Sequence, residues 1–169
     1  WSVGPVPVGD HIGKEIISRF SATTIDSKDR YSTDSNGYET VERTRNQRKS
    51  IKINPTEPLT ANYYPINTAL SIRDDAAQLT VTPDRTEGGA SLVGGEVELS
   101  VHRRLVHFDY PGGGGVGALN ETQSALYNNN GDVVKRIGPG IVVRGTHRLS
   151  LAPPEHSAAA VLEAKAEVL

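Results

Sequence analysis

The chain has 169 residues, enough for one domain with a sizeable core, and a formal net charge of −2 at pH 7 from 18 basic and 20 acidic residues. This charge balance excludes the basic footprint of a nucleic-acid-binding protein, and no apolar run approaches the roughly 20 residues that a membrane helix needs. Seventeen glycines, ten prolines and short runs of Val, Thr and Tyr favour an all-β protein.

The sequence contains neither cysteine nor methionine. Disulfides therefore cannot stabilise the chain. Because translation begins with methionine, and because the start resembles neither a signal peptide nor a transit peptide, we expect Trp1 to lie inside a longer precursor. The predicted C-terminal helix reaches Leu169 without a cap, and we expect the same of that end.

The first half of the chain predicts short strands separated by polar turns. Asn36 and Gly37 tolerate positive φ and predict a hairpin turn, while the paired carboxylates Asp74 and Asp75 are interpreted as turn formers rather than catalytic groups. The predicted extended segments are Trp1–Val8, Lys14–Ile25, Tyr31–Asp34, Tyr38–Arg45, Ile51–Ile53, Asn62–Asp74 and Gln78–Arg85.

The best strand is Glu96–Leu105, which follows a Gly94-Gly95 turn. Period-two alternation predicts an inward face, made of Val97, Leu99, Val101, Arg103 and Leu105, and a face toward water, made of Glu96, Glu98, Ser100, His102 and Arg104. The strand leads into the glycine loop Gly112–Gly117. Such a loop is either a plain flexible connection or a binding loop carried by a rigid sheet.

Beyond the glycine loop we expect a turn at Asn128–Asp132 and strands at Val133–Ile137 and Ile141–Leu151. Ile141, Val143 and Leu149 are predicted to face inward. Glu155–Leu169 is Ala-rich and predicts a helix. The predicted fold is therefore mainly β, an antiparallel β-sandwich-type region over 1–154 with a short helical tail over 155–169.

Motifs for chemistry are few. The glycine loop lacks the Lys-Ser/Thr and helix of a phosphate-binding loop. A metal site needs clustered ligands, but His102 and His107 would point to opposite faces if the strand continues, and His11, His147 and His156 stand alone. All five are interpreted as surface or strand residues. The basic residues Arg45, Arg48 and Lys49 predict a solvated face. Asn120-Glu121-Thr122 is a glycosylation sequon, which predicts a surface loop in a secretory-pathway protein.

Several sequence blocks together resemble the C-terminal β region of class II α-mannosidases, glycoside hydrolase family 38, in the lysosomal or plant vacuolar branch. The blocks are GPVPVGDHIGKEIISRF (4–20), TDSNG (33–37), TEPLTANYYPIN (56–67), DRTEGGASL (84–92), GEVELSVHRRL (95–105), GVGALNET (115–122) and VVRGTHRLSLAPPE (142–155). They lie in register over nearly the whole chain, which is far more specific than any single motif.

The resemblance implies part of a retaining, zinc-dependent exo-α-mannosidase that trims terminal α-mannose from N-glycans at acidic pH, in a vacuole or lysosome. In the family, the zinc ligands and both catalytic carboxylates lie in an N-terminal domain, so the resemblance assigns no catalytic or metal residue to this chain. The family's loop after the HRRL strand reads Asp-Asp-x-Arg-Gly and reaches the mannose pocket. Here Asp109 matches its second acidic position, Phe108 replaces the first, and Gly113 and Gly114 complete the expected substrate-binding set.

The resemblance also implies a partner, namely the catalytic chain or domain of the same precursor, within an oligomer of proteolytically processed chains. Mannose-terminated glycans would be the ligand, Asn120 would carry a glycan, and neither nucleic acid nor membrane would be bound. Two alternatives stay open: a stand-alone carbohydrate-binding β-sandwich, and a domain that only scaffolds the enzyme.

Overall fold

A computed structural model describes residues 1–8, 10, 12–48, 50–52, 54, 56–104, 119–120, 123–124, 126–127, 133–135 and 140–166. The strands are β1 Ser2–Val3, β2 Lys14–Ser21, β3 Arg30–Thr33, β4 Val41–Thr44, β5 Tyr64–Ile66, β6 Leu70–Arg73, β7 Gln78–Pro83, β8 Glu87–Ala90, β9 Glu96–Arg104, β10 Leu119–Asn120, β11 Gln123–Ser124, β12 Leu126–Tyr127, β13 Val133–Lys135, β14 Val143–Arg144 and β15 His147–Ala152. Short 3₁₀ turns span Thr60–Asn62 and Pro154–His156, and helix α1 spans Ser157–Ala166. The mainly β fold with one short C-terminal helix is confirmed.

The chain divides into two compact units, each made of two separate segments. Unit 1 contains residues 1–17 and 100–144, and unit 2 contains residues 18–99 and 145–169. Strands β2 and β9 each continue from one unit into the other. The predicted tail 155–169 falls in unit 2, and the division at residue 154 stays a prediction.

Two larger sheets contain most of the strand residues that the structure describes. One has five antiparallel strands in the order β15-β7-β6-β3-β4, and the other has four strands in the order β2-β9-β8-β5. The pairs β1–β14, β10–β11 and β12–β13 form separate two-stranded antiparallel sheets. The predicted turn at 128–132, between β12 and β13, lies outside the described residues.

The core of unit 2 is formed by side chains from both larger sheets. Its buried members are Ile25, Tyr31, Ile66, Leu70, Ile72, Leu79, Val81, Val97 and Leu99. Burial of each aliphatic side chain stabilises the fold by about 1.5–3 kcal/mol. A Cβ on Gly89 would lie 2.8 Å from Ile66 Cγ1, so the β8 backbone can approach the core only because this residue is glycine.

The predicted long strand Asn62–Asp74 is wrong, because the chain forms two strands there that belong to different sheets. β5 lies in the four-stranded sheet and β6 in the five-stranded sheet. Between them, the buried Asp34 carboxylate accepts hydrogen bonds from the backbone N–H of Thr68 at 2.8 Å and of Ala69 at 3.1 Å. Asn67 N–H also donates to the Asp34 carbonyl at 3.0 Å. These bonds replace ladder bonds and redirect the backbone.

The predicted strand Ile141–Leu151 is also two strands, β14 in unit 1 and β15 in unit 2. Thr146 N–H donates to Asp84 Oδ2 at 2.9 Å, and Asp84 N–H donates to the Thr146 carbonyl at 3.1 Å, which fixes the start of β15. Leu149, predicted to be inward, is 53% exposed, and Ile141 is exposed as well.

Smaller differences have local causes. The strand predicted at Lys14–Ile25 ends at Ser21, where the chain turns and Ile25 N–H donates to the Ala22 carbonyl. Ile51 and Lys52 form no strand, and the third residue predicted for it is outside the described part. Among the described residues, no helix is long and apolar enough to cross a lipid bilayer.

The basic residues predicted to form a solvated face are instead partly buried against the fold where the structure describes them. Arg45 donates to the Leu92 carbonyl and pairs with Asp29, while Arg48 donates to the Ala61 carbonyl. The Arg48 guanidinium lies 4.8 Å from the Tyr64 ring centroid, a cation–π distance. The prediction for Arg45 and Arg48 was wrong because their partners come from distant segments.

Candidate functional site

The loop predicted to reach the sugar follows β9, and the structure describes β9 to its last residue, Arg104. Asp109, Gly113 and Gly114 lie outside the described residues, so their role stays a prediction. Asn120 is the last residue of β10, and its register partner is Gln123 in β11. The sequon therefore begins where this short hairpin turns.

The end of β9 is anchored within unit 1 by two polar side chains. Arg104 Nη1 donates to the Val6 carbonyl at 2.8 Å, and both residues are buried. His102 Nε2 lies 3.3 Å from the Ile141 carbonyl, and His102 is also buried. A hydrogen bond from a charged donor stabilises by about 1.5–3 kcal/mol. The base of the predicted loop is therefore held firmly.

The polar side of β9 is thus not the water-facing surface that alternation predicted. Glu98 is buried, and Arg19 Nη2 on β2 donates to its Oε2 at 2.7 Å while the Tyr63 hydroxyl donates to Oε1. The hydrogen bond and the charge of Glu98 raise the pKa of Arg19. Since a buried carboxylate is stable only when paired, the prediction failed because partners on other elements cover this face.

Unit 2 holds a second buried polar pair that sequence reasoning missed. His147 Nε2 and Glu87 Oε2 lie 2.8 Å apart, and the two side chains are almost fully buried. Phe20 packs edge-on against the His147 ring, with centroids 5.7 Å apart. His147 is the first residue of β15, so its interpretation as a strand residue is confirmed, but its pairing with Glu87 was missed. No sequence pattern pointed to this pair, because neither β8 nor the start of β15 at His147 was predicted.

A polar groove lies on unit 2. It contains a cavity of about 350 Å³, lined by side chains of both charges that include Arg30, Glu42, Arg73, Asp74 and Glu155. A neighbouring cavity of about 480 Å³ shares Glu42 and Arg73 and extends along α1. The Arg73 and Glu42 side chains approach to 4.0 Å and are both about half exposed, so they form a weak surface pair.

Asp74 lines this groove, and its carboxylate accepts the hydrogen bonds that form the turn between β6 and β7. Its carboxylate accepts from the backbone N–H of Ala76 and Ala77, both at 2.8 Å, and from that of Asp26 at 3.1 Å. These bonds lower the pKa of Asp74. The interpretation of Asp74 as a turn former is confirmed by these contacts.

The described part of the chain contains no cluster of side chains that could bind a metal ion. Within those residues, no three His, Asp or Glu side chains lie close enough together to hold a metal ion. The resemblance places the zinc site of the enzyme in another domain, and that placement stays a prediction.

Comparison with known proteins gives one consistent result. Residues 3–111 match the family described as "Glycosyl hydrolases family 38 C-terminal domain". The chain is 47% identical over 159 residues to a human protein named lysosomal alpha-mannosidase, covering 94% of this chain and 14% of that protein. It is 44% identical over 170 residues to a Bos taurus protein of the same name, covering 100% of this chain and 15% of that one. It is 37% identical over 154 residues to a Canavalia ensiformis alpha-mannosidase, covering 91% and 15%.

The chain therefore spans about a seventh of the length of these relatives.

Proposed function

Because the chain belongs to the family of glycosyl hydrolase family 38 C-terminal domains, we propose that it is part of an α-mannosidase that removes terminal, non-reducing α-mannose from N-glycans. The observation that carries the proposal is the agreement of the family match over residues 3–111 with relatives named α-mannosidase over almost the whole chain. The names of the mammalian relatives support a lysosomal location, or a vacuolar one in a plant.

The proposed chemistry is retaining hydrolysis by two carboxyl groups on either side of the scissile bond, with a separation of roughly 5 Å. We assign these groups, and a Zn²⁺ ion that would bind sugar hydroxyls, to the larger part of the precursor. Among the described residues of this chain, no three His, Asp or Glu side chains lie close enough together to hold a metal ion by themselves.

The proposed role of this chain is to position a loop at the sugar. Arg104 and His102 anchor the base of the segment 105–118, and Asp109 in that segment would accept hydrogen bonds from mannose hydroxyls. A carboxylate acceptor suits this task because charge-assisted hydrogen bonds are about twice as strong as neutral ones. We also propose that Asn120 carries a glycan and that the precursor is processed and assembles as an oligomer.

The test of this role is Asp109→Ala in the full-length protein. We expect kcat/KM for an aryl α-mannoside to fall by about 10–100-fold, since loss of a charged hydrogen bond costs about 1.5–3 kcal/mol. Asp132→Ala removes a carboxylate from a predicted turn and is the matched control. An unchanged kcat/KM in Asp109→Ala would mean that the loop only scaffolds the enzyme.

Native mass spectrometry of the naturally purified protein tests the assignment to a larger enzyme. The chain should travel with, or within, a larger polypeptide that hydrolyses an aryl α-mannoside. If it travels alone and is inactive but binds mannose, the carbohydrate-binding module replaces the enzyme as the function.

A further inference from the structure

The edge strand β15 carries two leucines on the side that faces the core. Leu149 and Leu151 pair in register with Val81 and Leu79 of β7, which are buried members of the core. Residues directly opposite each other in neighbouring strands share a face of the sheet. Leu149 and Leu151 therefore lie on the core face, yet they are 53% and 66% exposed.

Helix α1 does not account for this face. The helix packs against β7 and β15, and the cavity along it is lined by Gln78 and Thr80 together with Ser157 and Val161. Gln78 and Thr80 alternate with Leu79 and Val81 and so point to the opposite face of the sheet. The helix covers that opposite face. Among the described residues, the core side of β15 is buried at His147 and stays open at Leu149 and Leu151.

The backbone edge of β15 is also unusually open to pairing. In the part of the chain that the structure describes, β7 is the neighbour assigned to β15, which makes β15 an edge of its sheet. Three other sheet edges carry residues that discourage further pairing: Glu42 and Arg43 on β4, Glu15 and Arg19 on β2, and Pro65 on β5. On β15 such residues are confined to its first half, where His147 and Arg148 lie, and residues 149–152 carry no charge and no proline. Proteins usually protect exposed edges with such residues.

We propose that an extended segment of the same polypeptide, outside residues 1–169, adds as a strand to the free edge of β15 and packs apolar side chains over Leu149 and Leu151. The proposal rests on the proposed function, in which this chain is one segment of an enzyme as long as its relatives, of which the chain spans 14–15%. The added strand would carry apolar residues at alternate positions and no charge opposite 149–152.

Size favours a segment of the same polypeptide over a second copy. Six residues of strand extend about 20 Å. The area that a partner could bury on so short a strip is well below the roughly 1,200–2,000 Å² that a stable interface between molecules buries. A segment tethered in the same polypeptide needs far less area, because its effective concentration is of millimolar order.

Hydrogen exchange in the full-length protein tests the added strand. In an unpaired edge strand, alternate amides point away from the sheet and exchange quickly, whereas an added strand protects all of them. We expect the amides of 148–152 that do not face β7 to exchange at least about 100-fold more slowly than unprotected amides. Rapid exchange at those amides would overturn the proposal.

A photo-crosslinking amino acid at position 151 identifies the occupant. Position 51 is the matched control, because Ile51 is 65% exposed and Leu151 66%. We expect the probe at 151 to give one discrete cross-link to a residue outside 1–169, and the probe at 51 to give none there. A cross-link to a second copy, a cross-link confined to residues 1–169, or no cross-link at 151 would each overturn the proposal.

Hydrolysis of an aryl α-mannoside by the same preparation reports separately on the proposed function. An active enzyme with an open β15 edge refutes only the added strand. A protected edge in a protein without mannosidase activity refutes only the enzymatic assignment.

Discussion

At the scale of single residues, aspartates determine where strands end. Asp34 separates β5 from β6, Asp74 closes the turn from β6 to β7, and Asp84 starts β15, each by accepting backbone N–H groups. Each carboxylate satisfies amides that would otherwise lack a partner at a chain reversal. Of the three, Asp34 bears on the predicted loop, because it ends β5, which lies in the same sheet as β9.

Asp34→Ala should destabilise the protein. The substitution leaves the Thr68 and Ala69 amides without their acceptor beside a buried position, at a cost of about 1–3 kcal/mol. Asp34→Asn keeps an acceptor oxygen and should cost clearly less. Urea denaturation gives the unfolding free energy of both variants. Equal values for the two would show that the acceptor oxygen of residue 34 does not stabilise the break between β5 and β6.

Asp74 should contribute a pH-dependent part of the stability. Its folded-state pKa is lowered from the usual 3.8 by the amides of Ala77, Ala76 and Asp26, so its contribution is fully present above about pH 4 and is lost as the pH falls through the lowered pKa. The turn should therefore persist in a mildly acidic compartment.

We expect the difference in Tm between the wild type and Asp74→Asn to shrink as the pH is lowered from about 5 to about 2. Asp75→Asn, which keeps the Asp74 carboxylate and its three hydrogen bonds, is the control and should follow the wild-type profile. A Tm difference that stays constant over this range would contradict the assignment.

At the scale of elements, β9 shows which structural features a sequence pattern predicts and which it misses. Its predicted bounds were right to within one residue, because apolar and polar residues alternate from Glu96 to His102. The prediction that its polar face meets water was wrong, because alternation at period two shows which residues share a face and not what covers that face. The partners of Glu98, which are Arg19 and Tyr63, lie far away in sequence.

The broken strand 62–74 has a related cause. Apolar residues occupy the same phase before and after the break, as Ile66 and Leu70 show, so the pattern reads as continuous. The break is made by Asp34, which no local pattern reveals. The role predicted for Asp109 rests on the resemblance alone, and Arg104, which anchors the end of β9, was predicted to face water.

Arg19→Met should test the buried pair on β9. The variant leaves the Glu98 carboxylate buried with one hydrogen-bond donor fewer, at an expected cost of about 1–3 kcal/mol in unfolding free energy. In a Glu98→Gln background the same substitution should cost clearly less, because no buried charge remains. Chemical denaturation of the four proteins of this cycle gives the coupling, and an equal cost in both backgrounds would disprove it.

At the scale of the whole molecule, the two units are interleaved along the chain. The chain leaves unit 2 after Leu99, builds most of unit 1, and returns to unit 2 at Gly145. The segment 105–118 belongs to the excursion, while β7, β15 and the buried Glu87–His147 pair belong to the unit to which the chain returns. This arrangement separates the predicted sugar-facing loop from the main core in sequence.

Removal of metal from the full-length enzyme should therefore abolish turnover without loosening unit 2. We expect a chelator to eliminate hydrolysis of an aryl α-mannoside while hydrogen exchange in β3, β6 and β7 stays unchanged, since the described residues hold no three-ligand group. Restoration of activity by added Zn²⁺ is the control. Faster exchange in these strands after chelation would mean that the metal contributes to the stability of unit 2.

The pairing of β15 with β7 also has a consequence for synthesis on the ribosome. β7 leaves the ribosome well before its edge partner, because all of residues 84–146 must be made first. Until then the uncharged edge Leu79–Thr82 is open to pairing with wrong partners. During that time β7 is held in the sheet by its pairing with β6. Completion of this sheet is therefore a late, non-local step, and a chaperone that holds β7 during that interval would raise the yield of folded protein.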